Sequence, residues 1–224
     1  MSSVVEQVQE LISQRRLLDH PFYTAWSRGE LTQPILGKYA EQYYHWVLAF
    51  PTWLSATHAN ASDLAMRQEI LANLNDEEMG ENNHPELWLR FCDALGLDRE
   101  AVRTADLLPE TRDAIAAMRR VTRDEPAAAG LTALYAYESQ QPDVMKTKRE
   151  GLRDLYGVTT GHDYFEVHEA MDVLHSAGER ALIEQHVPGH EAAALQAAQV
   201  ALDATYMILD GIEKIRSQKS KVKS

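Results

Sequence analysis

The segment His168-Glu-Ala-Met-Asp172-Val-Leu-His175 sets two imidazoles and a carboxylate at i, i+4 and i+7. On a helix advancing about 100° per residue these three fall within a sector of about 60°, so they face one way. Alone, the triplet could as well make hydrogen bonds on a wet face. It has company, because Glu138 closes the apolar stretch Leu131-Thr-Ala-Leu-Tyr-Ala-Tyr137, where a carboxylate is costly unless paired or bound to metal. Glu77 and His84 flank a break at Gly80-Glu-Asn-Asn-His84-Pro85. Taken singly, Glu77 sits in an acidic run with Asp76, Glu78 and Glu81 that reads as solvated, and His84 reads as a helix cap. Together, three carboxylates and three imidazoles from separate helices form the mixed oxygen and nitrogen shell used by carboxylate-bridged iron and manganese pairs in helical bundles. The absence of a thiolate cluster argues against zinc. The ferritin-like arrangement, with two Glu-x-x-His pairs, is not present, which points to a different bundle.

Helices are what position such a shell, and apolar residues recur at helical spacing nearly everywhere, as in Val4, Val8, Leu11 and Ile12 or Ala198, Leu202, Thr205, Tyr206 and Leu209. The pattern predicts an all-α fold with helices near 3–18, 20–28, 32–59, 62–79, 85–95, 98–104, 109–122, 126–140, 143–156, 161–186 and 189–216. Pro34 suits a first helical turn, Pro51 predicts a kink in a long helix, and Pro85, Pro109, Pro126 and Pro188 mark handovers between helices. Short connections imply antiparallel neighbours. Residues 1–216 read as one helical domain, and 217–224 as a mobile basic tail in which Lys219, Lys221 and Lys223 alternate with other residues.

A formal net charge of −12 excludes the clustered basic footprint that a nucleic-acid backbone demands. The lone Cys92 precludes an internal disulfide framework and suits a reducing, cytoplasmic compartment. The first residues carry no basic and apolar leader pattern, and no segment reads as the roughly 20 apolar residues of a membrane span, so neither secretion nor membrane insertion is expected.

The spacing of Glu77, His84, Glu138 and His168-x-x-x-Asp172-x-x-His175 resembles that of the haem-oxygenase-like dimetal oxygenases. Within them, His20-Pro-Phe-Tyr23-Thr-Ala-Trp26, Tyr39-Ala-Glu-Gln-Tyr-Tyr44 and Phe50-Pro51 resemble the CADD-like para-aminobenzoate synthases, and the likeness runs over nearly the whole chain. It implies a seven-helix, haem-oxygenase-like bundle, homodimeric, holding two metal ions (two irons, or iron with manganese) rather than haem. The implied ligands are Glu77, His84, Glu138, His168, Asp172 and His175. It further implies synthesis of para-aminobenzoate, a folate precursor, with dioxygen as co-substrate and an external reductant. In that chemistry Tyr23 is consumed and Lys148 donates nitrogen, while Tyr39 and Tyr137 line the same cavity. A phenol beside a reduced metal pair can be oxidised one electron at a time, and a desolvated lysine can lose the proton that blocks its nucleophilicity. Read without the resemblance, Tyr39 and Tyr137 are ordinary packing, and Lys148 in Met145-Lys-Thr-Lys-Arg-Glu150 is a solvated face.

Several other functions stay open on the sequence. A dimetal oxygenase could act on a free small molecule. The cofactor-free oxidase that completes pyrroloquinoline quinone shares the fold but leaves the metal shell unexplained. Thiamin-degrading relatives need a cysteine nucleophile, whereas Cys92 lies in an apolar stretch. A haem oxygenase would need His20 or His45 facing a haem-sized pocket. A helical protein-binding module would need no shell at all.

Overall fold

The computed structural model describes residues 2–222, with side chains through Gln218. It is all-helical, with no strand among the described residues: α1 Val4–Gln14, α2 Pro21–Ser27, α3 Gln33–Asn60, α4 Leu64–Glu78, α5 His84–Ala94, α6 Arg99–Arg103, α7 Pro109–Asp124, α8 Ala127–Glu138, α9 Gln141–Asp154, α10 Asp163–His186 and α11 Glu191–Val222. Each falls where apolar periodicity places it. The first is shorter than expected, and the chain turns through a single 3₁₀ turn at Leu17–Asp19 before α2. Local chemistry sets the starts: Ser3 and Glu6 form a reciprocal capping box on α1, Asp63 caps α4, and Asn83 caps α5 ahead of Pro85. Pro51 lies inside α3 without ending it. At the other end α11 continues through 217–222, so most of the expected basic tail is helix; residues 223–224 lie outside the described residues.

Four tryptophans, Trp26, Trp46, Trp53 and Trp88, are fully buried and organise the core around α3. By length and composition α11 would suffice to cross a membrane, a property that the sequence reading missed. Its apolar positions Ala194, Ala197, Ala198, Ala201, Leu202, Ile208 and Ile212 are instead buried in the bundle, where α11 packs on α7 and α8.

Two contacts prepare the site. His20 closes the start of α2, its Nδ1 accepting from the Phe22 N–H at 3.0 Å while Nε2 lies 3.2 Å from Asp210 of α11. Gly151 of α9 lies so close to Trp26 of α2 that a Cβ there would meet the indole nitrogen at 2.5 Å. The Gly151 approach holds α9, which carries Lys148, against α2, which carries Tyr23, and His20 ties the start of α2 to α11.

Candidate metal centre

The buried face of α4 runs Met66, Ile70, Asn73, Glu77, a helical stripe that turns from apolar to polar as it nears the core of the bundle. Glu77 therefore points inward rather than joining the solvated acidic run around it. It meets His84, at the first position of α5, with Oε2 2.7 Å from Nδ1, and His168 of α10, with Oε1 4.0 Å from Nε2. Beside this group Glu138, Asp172 and His175 form a second one. Within each trio, one ligand atom per residue lies within 4.8 Å of the others. The six residues expected to converge do so, as two adjacent trios.

The donor set fits two dications. His84 Nδ1, Asp172 Oδ2 and His175 Nδ1 are buried with no hydrogen-bond partner among the described residues, although His84 Nδ1 and the Glu77 carboxylate nearly touch. Buried donor atoms that converge with so few bonds among themselves suit a shared cation. The far nitrogens of two imidazoles are held in place: His168 Nδ1 lies 2.7 Å from the Tyr164 carbonyl, and His175 Nε2 lies 3.1 Å from Asp76 Oδ2. Such outer contacts fix the ring and leave the other nitrogen for metal. Asn73 Nδ2 donates to Glu138 Oε1 at 3.0 Å. Glu77 and Glu138 also sit in the last turns of α4 and α8, where the negative end of the helix dipole favours a cation and opposes a bare carboxylate.

Burial, and then the neighbouring His84, pushes His168 well below the usual imidazole range, so it is a neutral donor. Burial raises the carboxyl of Glu138, and burial followed by the nearby Glu138 raises that of Asp172. Dications held by these carboxyls would displace those protons. Replacing His168, Asp172 or Glu138 by alanine is thus expected to remove at least one of two bound metals per chain, measured by elemental analysis after anaerobic loading; two equivalents retained in all three variants would refute the ligand assignment.

Between the trios and the tyrosine layer lies a void with room for about one water molecule, lined by Trp46, Val47, Phe50, Glu77, Tyr137, Glu138, Tyr164, His168 and Asp172. Tyr137 thus stands on its wall. Tyr23 and Tyr39 do not line it; they are one layer back, reached through Tyr43, whose hydroxyl is 2.8 Å from that of Tyr137. Lys148 is fully buried, against the solvated face that its charged segment predicts. Its Nζ lies 4.7 Å from the Tyr43 ring centre, 5.5 Å from Tyr39, 5.8 Å from Tyr23 and 5.8 Å from Trp88. Among the described residues its one hydrogen-bond partner is the Met145 sulfur at 3.9 Å. Burial lowers its pKa to about 7, against a modest opposing pull from Asp172. Burial also raises Tyr23, Tyr39 and Tyr137 well above the usual phenol range, so all three carry their protons.

The remaining candidates are accounted for as structure. Both nitrogens of His20 are engaged as described, and His45 Nε2 lies 3.2 Å from the Val102 carbonyl; neither lines the void, which a haem could not enter. Burial pushes the Cys92 thiol up to about 12, unlike a nucleophile. Tyr43, Tyr164, Asp76 and Asn73 join the site without having been singled out from the sequence.

Residues 37–206 match the family of iron-containing redox enzymes. The chain belongs to that family. As a family member it is an oxidoreductase. It is 45% identical over 222 residues to a 4-aminobenzoate synthase of Nitrosomonas europaea, covering 93% of this chain and 90% of that one. It is 38% identical to a 4-aminobenzoate synthase of Chlamydia trachomatis, over 92% and 90% of the two chains. A pyrroloquinoline-quinone synthase of Pseudomonas syringae is 31% identical over 86% of this chain and 79% of that one. Among solved structures, a TenA homologue from Pseudomonas syringae superposes with a TM-score of 0.80 at 15% identity, covering 94% and 93% of the two chains. A CADD-like protein from Nostoc punctiforme superposes at 0.77 and 15%, covering 96% and 95%. These likenesses establish for this family member the TenA-type, haem-oxygenase-like helical fold.

Proposed function

We propose that this oxidoreductase makes 4-aminobenzoate from its own Tyr23, with Lys148 as nitrogen donor and two metal ions, iron with iron or with manganese, held by Glu77, His84, Glu138, His168, Asp172 and His175. The observation that carries this reading is Lys148: a fully buried amine without a carboxylate partner, its pKa lowered to about 7, enclosed by the rings of Tyr43, Tyr39 and Tyr23. A structural lysine is ordinarily exposed or paired, and nothing in the packing requires an ammonium here. When bound, the metal pair supplies the reduction of dioxygen, with electrons completed by an external reductant. Lys148, about half neutral near pH 7, offers a nitrogen lone pair inside an aromatic enclosure that excludes water. Tyr23 offers a ring whose 1,4 substitution is that of the product: its Cα–Cβ bond would break with Cβ oxidised to the carboxylate at the expense of dioxygen, and its phenol oxygen would leave as water as the Lys148 nitrogen takes its place and the lysine Cε–Nζ bond breaks. Tyr43 and Tyr137, linked hydroxyl to hydroxyl, join the ligand wall to the Lys148 layer and can pass a proton or a phenolic oxidation between them. The close packing of Gly151 on Trp26 keeps α9 with Lys148 beside α2 with Tyr23, while His20 anchors the start of α2 to α11.

The names of the Nitrosomonas and Chlamydia relatives support the product. The small void supports an internal source for its ring, since a free aromatic acid has no space beside the ligands. A cofactor-free quinone-forming reaction would leave the converging, unpartnered donors without a purpose. The experiment is anaerobic loading with iron(II) and manganese(II), exposure to oxygen with a reductant, and chromatography of the small-molecule fraction with no aromatic compound added. Oxygen-dependent 4-aminobenzoate is expected; its absence under every metal combination would overturn the proposal.

A further inference from the structure

The ligand face of α10 does not stop at His175. Glu179 follows it by four residues on the same face, is 3% exposed, and neither carboxylate oxygen has a hydrogen-bond partner among the described residues. It lines a second small cavity with Leu54, Glu69, Ile70, Asn73, Leu131 and His175. The inner end of that cavity is the metal centre itself, where His175 turns an unpartnered Nδ1 inward and Asn73 holds Glu138. The outer end is Glu69, exposed on α4. Glu69 reaches toward Glu179 because residue 178 is glycine: a methyl group there would run into the Glu69 carboxylate. An exposed carboxyl, a buried carboxyl that faces Glu138 and a ligand carboxyl thus follow one another between apolar walls.

We propose that Glu69 and Glu179 form the entry route by which a divalent cation, iron(II) or manganese(II), reaches the Glu138–Asp172–His175 half of the centre. The inference rests on the two-metal reading above. A dication cannot cross an apolar wall without oxygen ligands to replace the water it sheds, because the desolvation cost is far beyond thermal energy. Hard carboxylate oxygens suit both metals. Glu69 gathers the ion at the surface, Glu179 replaces part of its hydration midway, and the trio receives it. The same passage explains why a carboxylate remains in an apolar wall although six ligands are complete without it.

The test uses the full chain, depleted of metal and kept anaerobic, with manganese(II) as probe and the fading electron paramagnetic resonance signal of the free aqueous ion as clock. Wild type is expected to take up two equivalents. Glu179→Gln should reach the same endpoint about tenfold more slowly, the loss of one favourable step on a barrier, and Gly178→Ala should slow loading severalfold by displacing the Glu69 carboxylate in an otherwise helix-favouring change. Glu179→Gln loading at the wild-type rate would overturn the proposal, as would an endpoint below two equivalents, which would make Glu179 a ligand instead. Should Glu179→Gln not fold by circular dichroism, the surface variant Glu69→Gln decides: slower loading supports the route and an unchanged rate overturns it. A wild-type endpoint below two equivalents would instead overturn the two-metal reading, and the entry route with it.

Discussion

Lys148→Met is expected to melt above the wild type and to yield no 4-aminobenzoate. The amine lies fully buried among the rings of Tyr23, Tyr39, Tyr43 and Trp88, and its pKa falls from 10.5 to about 7. At 1.36 kcal/mol per pH unit that displacement amounts to about 5 kcal/mol of destabilisation at and below neutral pH. Methionine, of similar length and apolar, is free of that cost and should gain a few kcal/mol. Because the folded pKa is depressed below the unfolded one, the unfolded chain binds more protons between about pH 7 and 10.5, and wild-type stability rises with pH through that window. The advantage of the variant should therefore be largest at pH 7 and below and close toward pH 10, as followed by thermal unfolding. Product formation in the wild type should fall as pH drops below about 7, where the amine gains its proton. Lys148→Arg, whose guanidinium stays charged, should also make no product. A methionine variant that melts lower at every pH would assign Lys148 a structural role.

Tyr23→Phe is the second large effect. The hydroxyl is not among the six donors, so the variant should fold, bind both metals, and lose no more than about 1 kcal/mol of stability. Its product should nevertheless be abolished, because the ring oxygen that marks the site of amination is gone. Tyr137→Phe provides the contrast: it breaks the 2.8 Å hydroxyl contact with Tyr43 but removes no atom of the product, so the reaction should slow while its final yield persists. Equal and complete loss in both variants would indicate that Tyr23 belongs to the relay rather than to the product.

The fold was legible because helical periodicity and proline positions act over short stretches. Gln14 ends α1 early for a tertiary reason, the turn that brings His20 against Asp210, and local spacing does not carry that. The triplet His168, Asp172 and His175 was readable because a single helix fixes their relative directions. Glu179 continues the same face one turn on and could have been read with them. Glu77 was ambiguous by itself, yet the sequence Met66, Ile70, Asn73, Glu77 places it on the buried stripe of α4, which separates it from Glu78 and Glu81. Lys148 was opaque: its neighbours Lys146, Arg149 and Glu150 are charged, and only the approach of α2 and α9 across Gly151 shows that this one lysine turns inward. Tyr43, Tyr164 and Asp76 act through partners distant in sequence, beyond the reach of any local pattern.

The most direct measurement of the central claim is label transfer. Protein expressed with ring-labelled tyrosine is loaded anaerobically with iron(II) and manganese(II), exposed to oxygen with a reductant, and separated into protein and small molecules for mass spectrometry. The account predicts labelled 4-aminobenzoate at no more than about one molecule per chain, far from the repeated cycles of an ordinary catalyst, with a matching mass loss confined to the peptide that contains Tyr23. Many molecules of product per chain, with the Tyr23 peptide intact, would contradict it.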